Sequence, residues 1–481
     1  MRPFFQPSSL LLALTAMSVV DLASAERVLG AYIFARHGDR TPKVLGNTRL
    51  TDLGYSEVYQ TGNYYHNRYI DASSSLQIEG ISEKIVNLKQ ISASSPSDAV
   101  LQNSGVAFMQ GVYPPVGSSA NETLANGTTI STPLGGYQLI PLSLISTGTN
   151  SEDNTWLQDA TGCNNAKVSS NSYYSSSLYN RLYGSTTDFY HSLSSLLNGT
   201  FTESQMTFKS AYTIYDYLNV ATIHNTSNIP TSSQLHQLLL LANIEQYNLA
   251  YNTSDTARAI AGAQLAGEIL QALNKTITSK GSSKLNIQFG AYATFLSYFG
   301  LAQLPAVNDN FIGIPDYASS MAWELITDST AGGFPDSSEI SVRFIFHNGT
   351  MTGSSDVPKE YPLYGQSSAT IPWAKFVEET TKIAVTSTPE WCKVCGNTDG
   401  KCASYASNGS GSGSGSGSAG ATSTSGGGVS RAVAGVIGAM VTLAVIFGLE
   451  ALFLLVGGFR ITKKRRAGTE GVASVVTENK A

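Results

Sequence analysis

The seven residues Arg36-His37-Gly38-Asp39-Arg40-Thr41-Pro42 constrain this chain more than any other stretch. They follow the apolar, β-rich run Val28-Leu29-Gly30-Ala31-Tyr32-Ile33-Phe34-Ala35, which reads as a buried strand emerging into a loop. A histidine between two arginines is an uncommon setting. The flanking positive charges disfavour a protonated imidazole and keep His37 a nucleophile, while the planar forks of Arg36 and Arg40 match the oxygens of a phosphate. Attack on phosphorus through a phosphohistidine suits that cluster.

Strand-like and helix-like patterns alternate along the chain. Tyr55–Tyr69, Leu235–Leu249 and Ala257–Leu273 read as helices, the last with Ile260, Leu265, Ile269 and Leu273 on one face. Leu285–Phe289 and Ile340–Phe346 read as strands. This predicts an α/β fold, a three-layer α/β sandwich core with active residues at strand ends. Residues 170–274 are mainly helical and read as an inserted cap within a unit spanning 26–406.

The flanking segments point to a membrane. Residues 1–25 combine Arg2, an apolar stretch and Ala23-Ser24-Ala25, the pattern of a secretory signal peptide. Residues 407–431 are a Gly/Ser stalk, and 432–459 form an apolar run long enough for one C-terminal transmembrane helix. The basic start of 460–481 makes that segment a cytoplasmic tail of a single-pass type I protein, with the cell surface as the default destination. Glu450 either faces a partner helix or sits near one interface. Glycosylation acceptors at Asn121, Asn126, Asn198, Asn225, Asn252, Asn274, Asn348 and Asn408 all fall on the lumenal side. Cys163, Cys392, Cys395 and Cys402 do too, which predicts two disulfides with three connectivities open. Cys392-Lys393-Val394-Cys395 lacks the second pair that a zinc site needs, so no metal or cofactor is implied. A net charge of −5 with 13% charged residues leaves no nucleic-acid footprint.

With Arg-His-Gly-Asp-Arg-Thr-Pro after the first strand, the sequence resembles the histidine acid phosphatases, in the branch of phytases and prostatic-type acid phosphatase. Leu50-Thr51-Asp52-Leu53-Gly54, Tyr113-Pro114-Pro115 and Gln288–Ser297 fall where that family carries its further motifs. The resemblance implies phosphomonoester hydrolysis with His37 as nucleophile and Arg36 and Arg40 as phosphate clamps. It also implies a second histidine, an aspartic acid that protonates the leaving oxygen, and a third arginine. Here Tyr292 and Ala293 stand at the histidine and the acid, and Ile91–Asp98 occupies the strand of the third arginine without supplying one. Lys84 or Lys89 can offer a charge but not a fork. Asp309 and Asp316 are the candidates for a substitute acid, and Asp39 is expected to stabilise its own loop. His66, His191, His224, His236 and His347 carry no ligand pattern.

Three functions compete. The first is a weakened or altered phosphatase working through His37 on a small phosphomonoester. The second is an inactive phosphatase-like module that binds inorganic phosphate, a phosphoester or a partner. The third is a surface glycoprotein that merely keeps the fold.

Overall fold

The computed structural model describes residues 26–145, 162–225, 227–353 and 356–406. The expected signal peptide, stalk, transmembrane helix, tail and Asn408 lie outside them. No helix among the described residues is long and apolar enough to cross a membrane.

The first strand, β1 (Arg27–Arg36), is buried from Val28 to its end, because an unbroken apolar run suits a central strand covered on both faces. After it come α1 (Asp52–Tyr69), β2 (Ile91–Pro96), α2 (Ala99–Val112) and β3 (Leu142–Ile145). Short helices follow, among them Asn164–Ser172, Ser177–Ser185 and Thr187–Ser192, then α3 (Ala211–His224), α4 (Ser232–Ala250) and α5 (Ile260–Thr278). The chain continues through β4 (Leu285–Gly290), α6 (Tyr292–Leu301), β5 (Ser320–Thr327), β6 (Ser341–His347), β7 (Thr370–Pro372), α7 (Trp373–Ile383) and α8 (Thr388–Cys395). The sheet runs β7-β6-β5-β1-β4-β2-β3, with Lys359–Glu360 added beside β6. From β1 through β3 the pairs are parallel, and beyond β1 on the other side they are antiparallel. The chain is thus a mixed α/β protein around one central sheet.

Alternation along the strands feeds two cores. Ala31, Ile33, Ala35, Leu285 and Ile287 pack with Val58, Tyr65 and Tyr69 of α1 and Leu101 and Phe108 of α2. On the other face, Tyr32, Phe34, Trp323 and Phe344 pack with Leu265, Ile269 and Leu273 of α5, Phe295 and Phe299 of α6 and Phe376 of α7. The helices between β3 and α5 enclose a core of their own, built from Tyr173, Tyr179, Tyr190, Phe208, Ile214, Leu218 and Leu238. α5 closes the 170–274 span, yet its apolar stripe is spent on the sheet.

The disulfides are Cys163–Cys395 and Cys392–Cys402, one of the three connectivities open to the sequence. The two cysteines of the Cys392–Cys395 motif are bonded to other partners. The first bridge ties the start of Asn164–Ser172 to the end of α8, while the second closes a local loop.

Candidate active site

Parallel pairing explains why distant motifs meet. Arg36 ends β1 opposite Gly290, the end of β4, so His37 and Tyr292 emerge side by side beyond neighbouring strands. β2 ends at the same level. β5 runs the other way and starts with Ser320 opposite Ala35, which delivers Tyr317 and Ala318 to that edge. Ligands of open α/β sheets bind beyond the carboxyl ends of the strands.

The loop after β1 is pressed onto the first turn of α1. A Cβ on Gly38 would stand 2.2 Å from the Gly54 carbonyl oxygen, and one on Gly54 2.1 Å from that of Asp39. Both positions therefore require glycine, which gives the Leu50-Thr51-x-x-Gly54 segment its physical meaning. Thr51 caps α1 by accepting from Gly54 N–H at 3.0 Å, and its hydroxyl donates to Asp39 Oδ2 at 2.5 Å.

His37 is fully buried. Its Nδ1 lies 2.8 Å from the Gly38 carbonyl oxygen. A carbonyl only accepts, so Nδ1 carries a proton, and in the neutral form of the ring the lone pair is on Nε2. That is the atom a phosphohistidine would form on. The two arginines are engaged differently. Arg36 donates to the Pro315 carbonyl and lies over two rings, Tyr317 at 4.8 Å and Tyr292 at 5.5 Å. Arg40 makes a fork-to-fork pair with Asp216 of α3, at 2.9 and 3.2 Å, and also donates to the Tyr212 hydroxyl at 3.1 Å. Lys43 N–H reaches the same carboxylate at 2.9 Å.

The Asp39 carboxylate is engaged by Thr51 of its own loop and by α3. Besides Thr51, its Oδ2 meets His224 Nε2 at 2.7 Å. His224 had no role in the sequence, and nothing in its spacing could have given it one. It ends α3, the helix that brings Tyr212 and Asp216. Asp39 N–H also donates to Glu57 at 2.7 Å, and burial, with the nearby Asp39 charge, pushes the Glu57 carboxyl up to about 7.

Tyr292 and Ala293 open α6, where a second motif would lie. The Tyr292 hydroxyl donates to Gln246 at 2.9 Å, and its ring packs on Tyr212 with centroids 4.7 Å apart. Gln246 donates to Glu245 at 3.2 Å, and Glu245 accepts from Tyr212 N–H at 2.8 Å. Burial pushes Glu245 up to about 8. This half of the site is an aromatic wall backed by a protonated acid.

At the end of β2, Asp98 caps α2 through Val100 N–H and Leu101 N–H, so no arginine fork stands there. The lysines do not replace it. Lys89 precedes the amino end of β2, a strand's length of about 20 Å from the site. Lys84 lies past the far end of α2, where Gln138 bridges its carbonyl to that of Pro114. Asp309 lines a cleft of about 800 Å³, and Asp316 borders both that cleft and an adjoining void of about 20 Å³ beside Arg36, Asp216 and Tyr317. Asp316 is bound to Asn348 Nδ2 at 3.1 Å. Among the described residues no His/Cys/Asp/Glu cluster is arranged to hold a metal.

The fold and this edge define an α/β protein carrying a histidine–arginine loop at the strand ends. The profile of the histidine phosphatase superfamily (branch 2) matches residues 43–347, over half of the chain, and the chain belongs to that family. The match begins directly after Pro42. The phytase from Citrobacter braakii superposes with a TM-score of 0.51 at 14% identity, over 76% of this chain and 99% of that one. The Hafnia alvei phytase, in its apo form, gives 0.50 at 13% identity, over 76% and 98%. The phytase of Klebsiella sp. ASR1 gives 0.50 at 12%, over 75% and 96%. At such identities the likeness is one of fold. No curated protein matches the sequence.

Proposed function

We propose that the chain is a phosphatase-like ectoprotein, held at a secretory-pathway or cell-surface membrane by residues 432–459, whose phosphohistidine chemistry has lost its proton donor. The observation that carries this reading is the asymmetry at the sheet edge. His37 sits between Arg36 and Arg40 with Nδ1 on the Gly38 carbonyl, while the opening turn of α6 carries the phenol of Tyr292 and the methyl of Ala293. A general acid contributes about 10²–10⁴ in rate, so esters of poor leaving groups lose most of their turnover. Esters whose alcohols leave unaided keep some. Seven of the eight glycosylation acceptors are described, all exposed or half-buried, which agrees with a glycosylated lumenal surface.

The test is phosphate release by residues 26–406 from aryl phosphates of graded leaving-group pKa at acidic pH, beside His37→Ala. A steep dependence that vanishes in His37→Ala is expected, and a shallow one would show that another group supplies the proton. A second reading, a phosphatase fold without turnover, is favoured by closure of the site. His37 is fully buried, and the 20 Å³ void beside Arg36 holds about one water rather than a phosphoryl group. Release from no substrate in the series would select it.

A further inference from the structure

We infer that Asp216 occupies the oxyanion seat of this site, as a built-in stand-in for the ligand's charge. The inference rests on reading the Arg36–Arg40 loop as a phosphate site, and asks what that site holds at rest. Asp216 comes from α3, far from the loop in sequence, and it is 3% exposed. A carboxylate presents two oxygens in a plane, as one edge of a phosphate does, and a guanidinium fork binds either in the same way. Here the fork of Arg40 holds both oxygens of Asp216, and Lys43 N–H supplies a third donor. Three donors thus converge on one buried carboxylate, next to the nucleophile's loop.

The surroundings make this occupation exclusive. Arg36, Asp216 and Tyr317 border the same 20 Å³ void, which takes a water but not four phosphoryl oxygens. A dianion entering beside Arg40 would also meet the Asp216 charge at close range in a water-poor setting, where like charges repel strongly. A ligand must therefore displace Asp216, and α3 with it. That helix is additionally latched by Tyr212 on Arg40 and by His224 on Asp39. Asp216 is accordingly the residue that determines whether this site accepts a tetrahedral oxyanion.

The experiment is equilibrium binding of inorganic phosphate, and of phenylphosphonate as a monoester mimic whose P–C bond resists hydrolysis. The proteins are residues 26–406 of the parent, Asp216→Ala, Asp216→Asn and Asp216→Ala with Arg40→Gln. We expect Asp216→Ala to bind phosphate at least tenfold tighter than the parent, Asp216→Asn to gain less because it keeps the volume, and the double variant to lose the gain. Phenylphosphonate that gains while phosphate does not would assign the seat to a bound ester rather than the free ion. Equal affinities in parent and Asp216→Ala for both probes would overturn the inference, as would a gain that survives Arg40→Gln. If Asp216→Ala unfolds in anion-free buffer, phosphate should restore its cooperative unfolding where chloride of matched ionic strength does not. Failure of that rescue overturns it equally. No bond is broken in these measurements, so they are decided separately from turnover at His37.

Discussion

Two ends of neighbouring parallel strands sit side by side in this protein and have opposite characters. Beyond β1 the loop carries a histidine, two arginines and Gly38, which packs on Gly54 of α1 with no room for a side chain on either glycine. Beyond β4 the equivalent place is filled by the ring of Tyr292, packed on Tyr212 and bonded to Gln246. The scaffold delivers both to one edge, because strand pairing depends on backbone register and buried apolar faces rather than on the chemistry of the loop. A fold can therefore deliver a side chain to this edge whatever that side chain's chemistry. Beyond β4 that edge is filled by packing, since an unfilled or unpaired polar pocket is costly.

The largest expected effect comes from rewriting the second end. Tyr292→His with Ala293→Asp should raise turnover of phenyl phosphate by about 10²-fold or more and flatten the dependence on leaving-group pKa. An unaltered slope would show that the two ends differ by more than two side chains. Stability separates them next. Arg40→Ala strands the buried Asp216 carboxylate and should cost about 3–5 kcal/mol in urea unfolding. Tyr292→Phe removes one hydrogen bond and should cost about 0.5–1.5 kcal/mol. Similar losses in both would mean that the first end, too, is held mainly by packing.

The last comparison is in pH. Glu57 supports the first end and Glu245 the second, and burial raises them from 4.5 to about 7 and about 8. Folded, both keep a proton at a pH where the unfolded chain has lost it, so the folded state binds more protons. Stability should therefore fall as pH rises from about 4.5 through 7–8, with the buried Glu245 contributing over the wider range. Glu57→Gln should remove the lower part of that fall, and Glu245→Gln the part extending to pH 8. Melting temperatures across this range, compared with the parent, would show whether each acid belongs to the end it touches.

Much of this was legible in the residues. The apolar run from Val28 to Ala35 became β1, and the expected helices appear as α1, α4 and α5 with ends shifted by a few residues. Tyr292 and Ala293 were visible in the sequence beyond the later strand, and the structure places them at the start of α6. The closure of the site was not. Tyr212, Asp216 and His224 lie on one helix in an aromatic-rich stretch with no motif, and each gains its partner from a residue more than 170 positions away. Lys89 illustrates the reverse case: close in sequence to β2, it sits at the wrong end of the strand.

By itself the sequence determined the α/β alternation, the Arg36-His37-Arg40 loop after the first strand, and the presence of Tyr292 and Ala293 beyond the later one. These follow from local pattern and residue type, because a strand's burial is written in its hydrophobicity and alanine has no proton wherever it is placed. Only the tertiary structure decided which cysteines pair, where Asp39 points, and that Arg40 is held by Asp216. A charge chooses its partner by distance in space, and that distance exists only after α3 has been packed against the loop beyond β1.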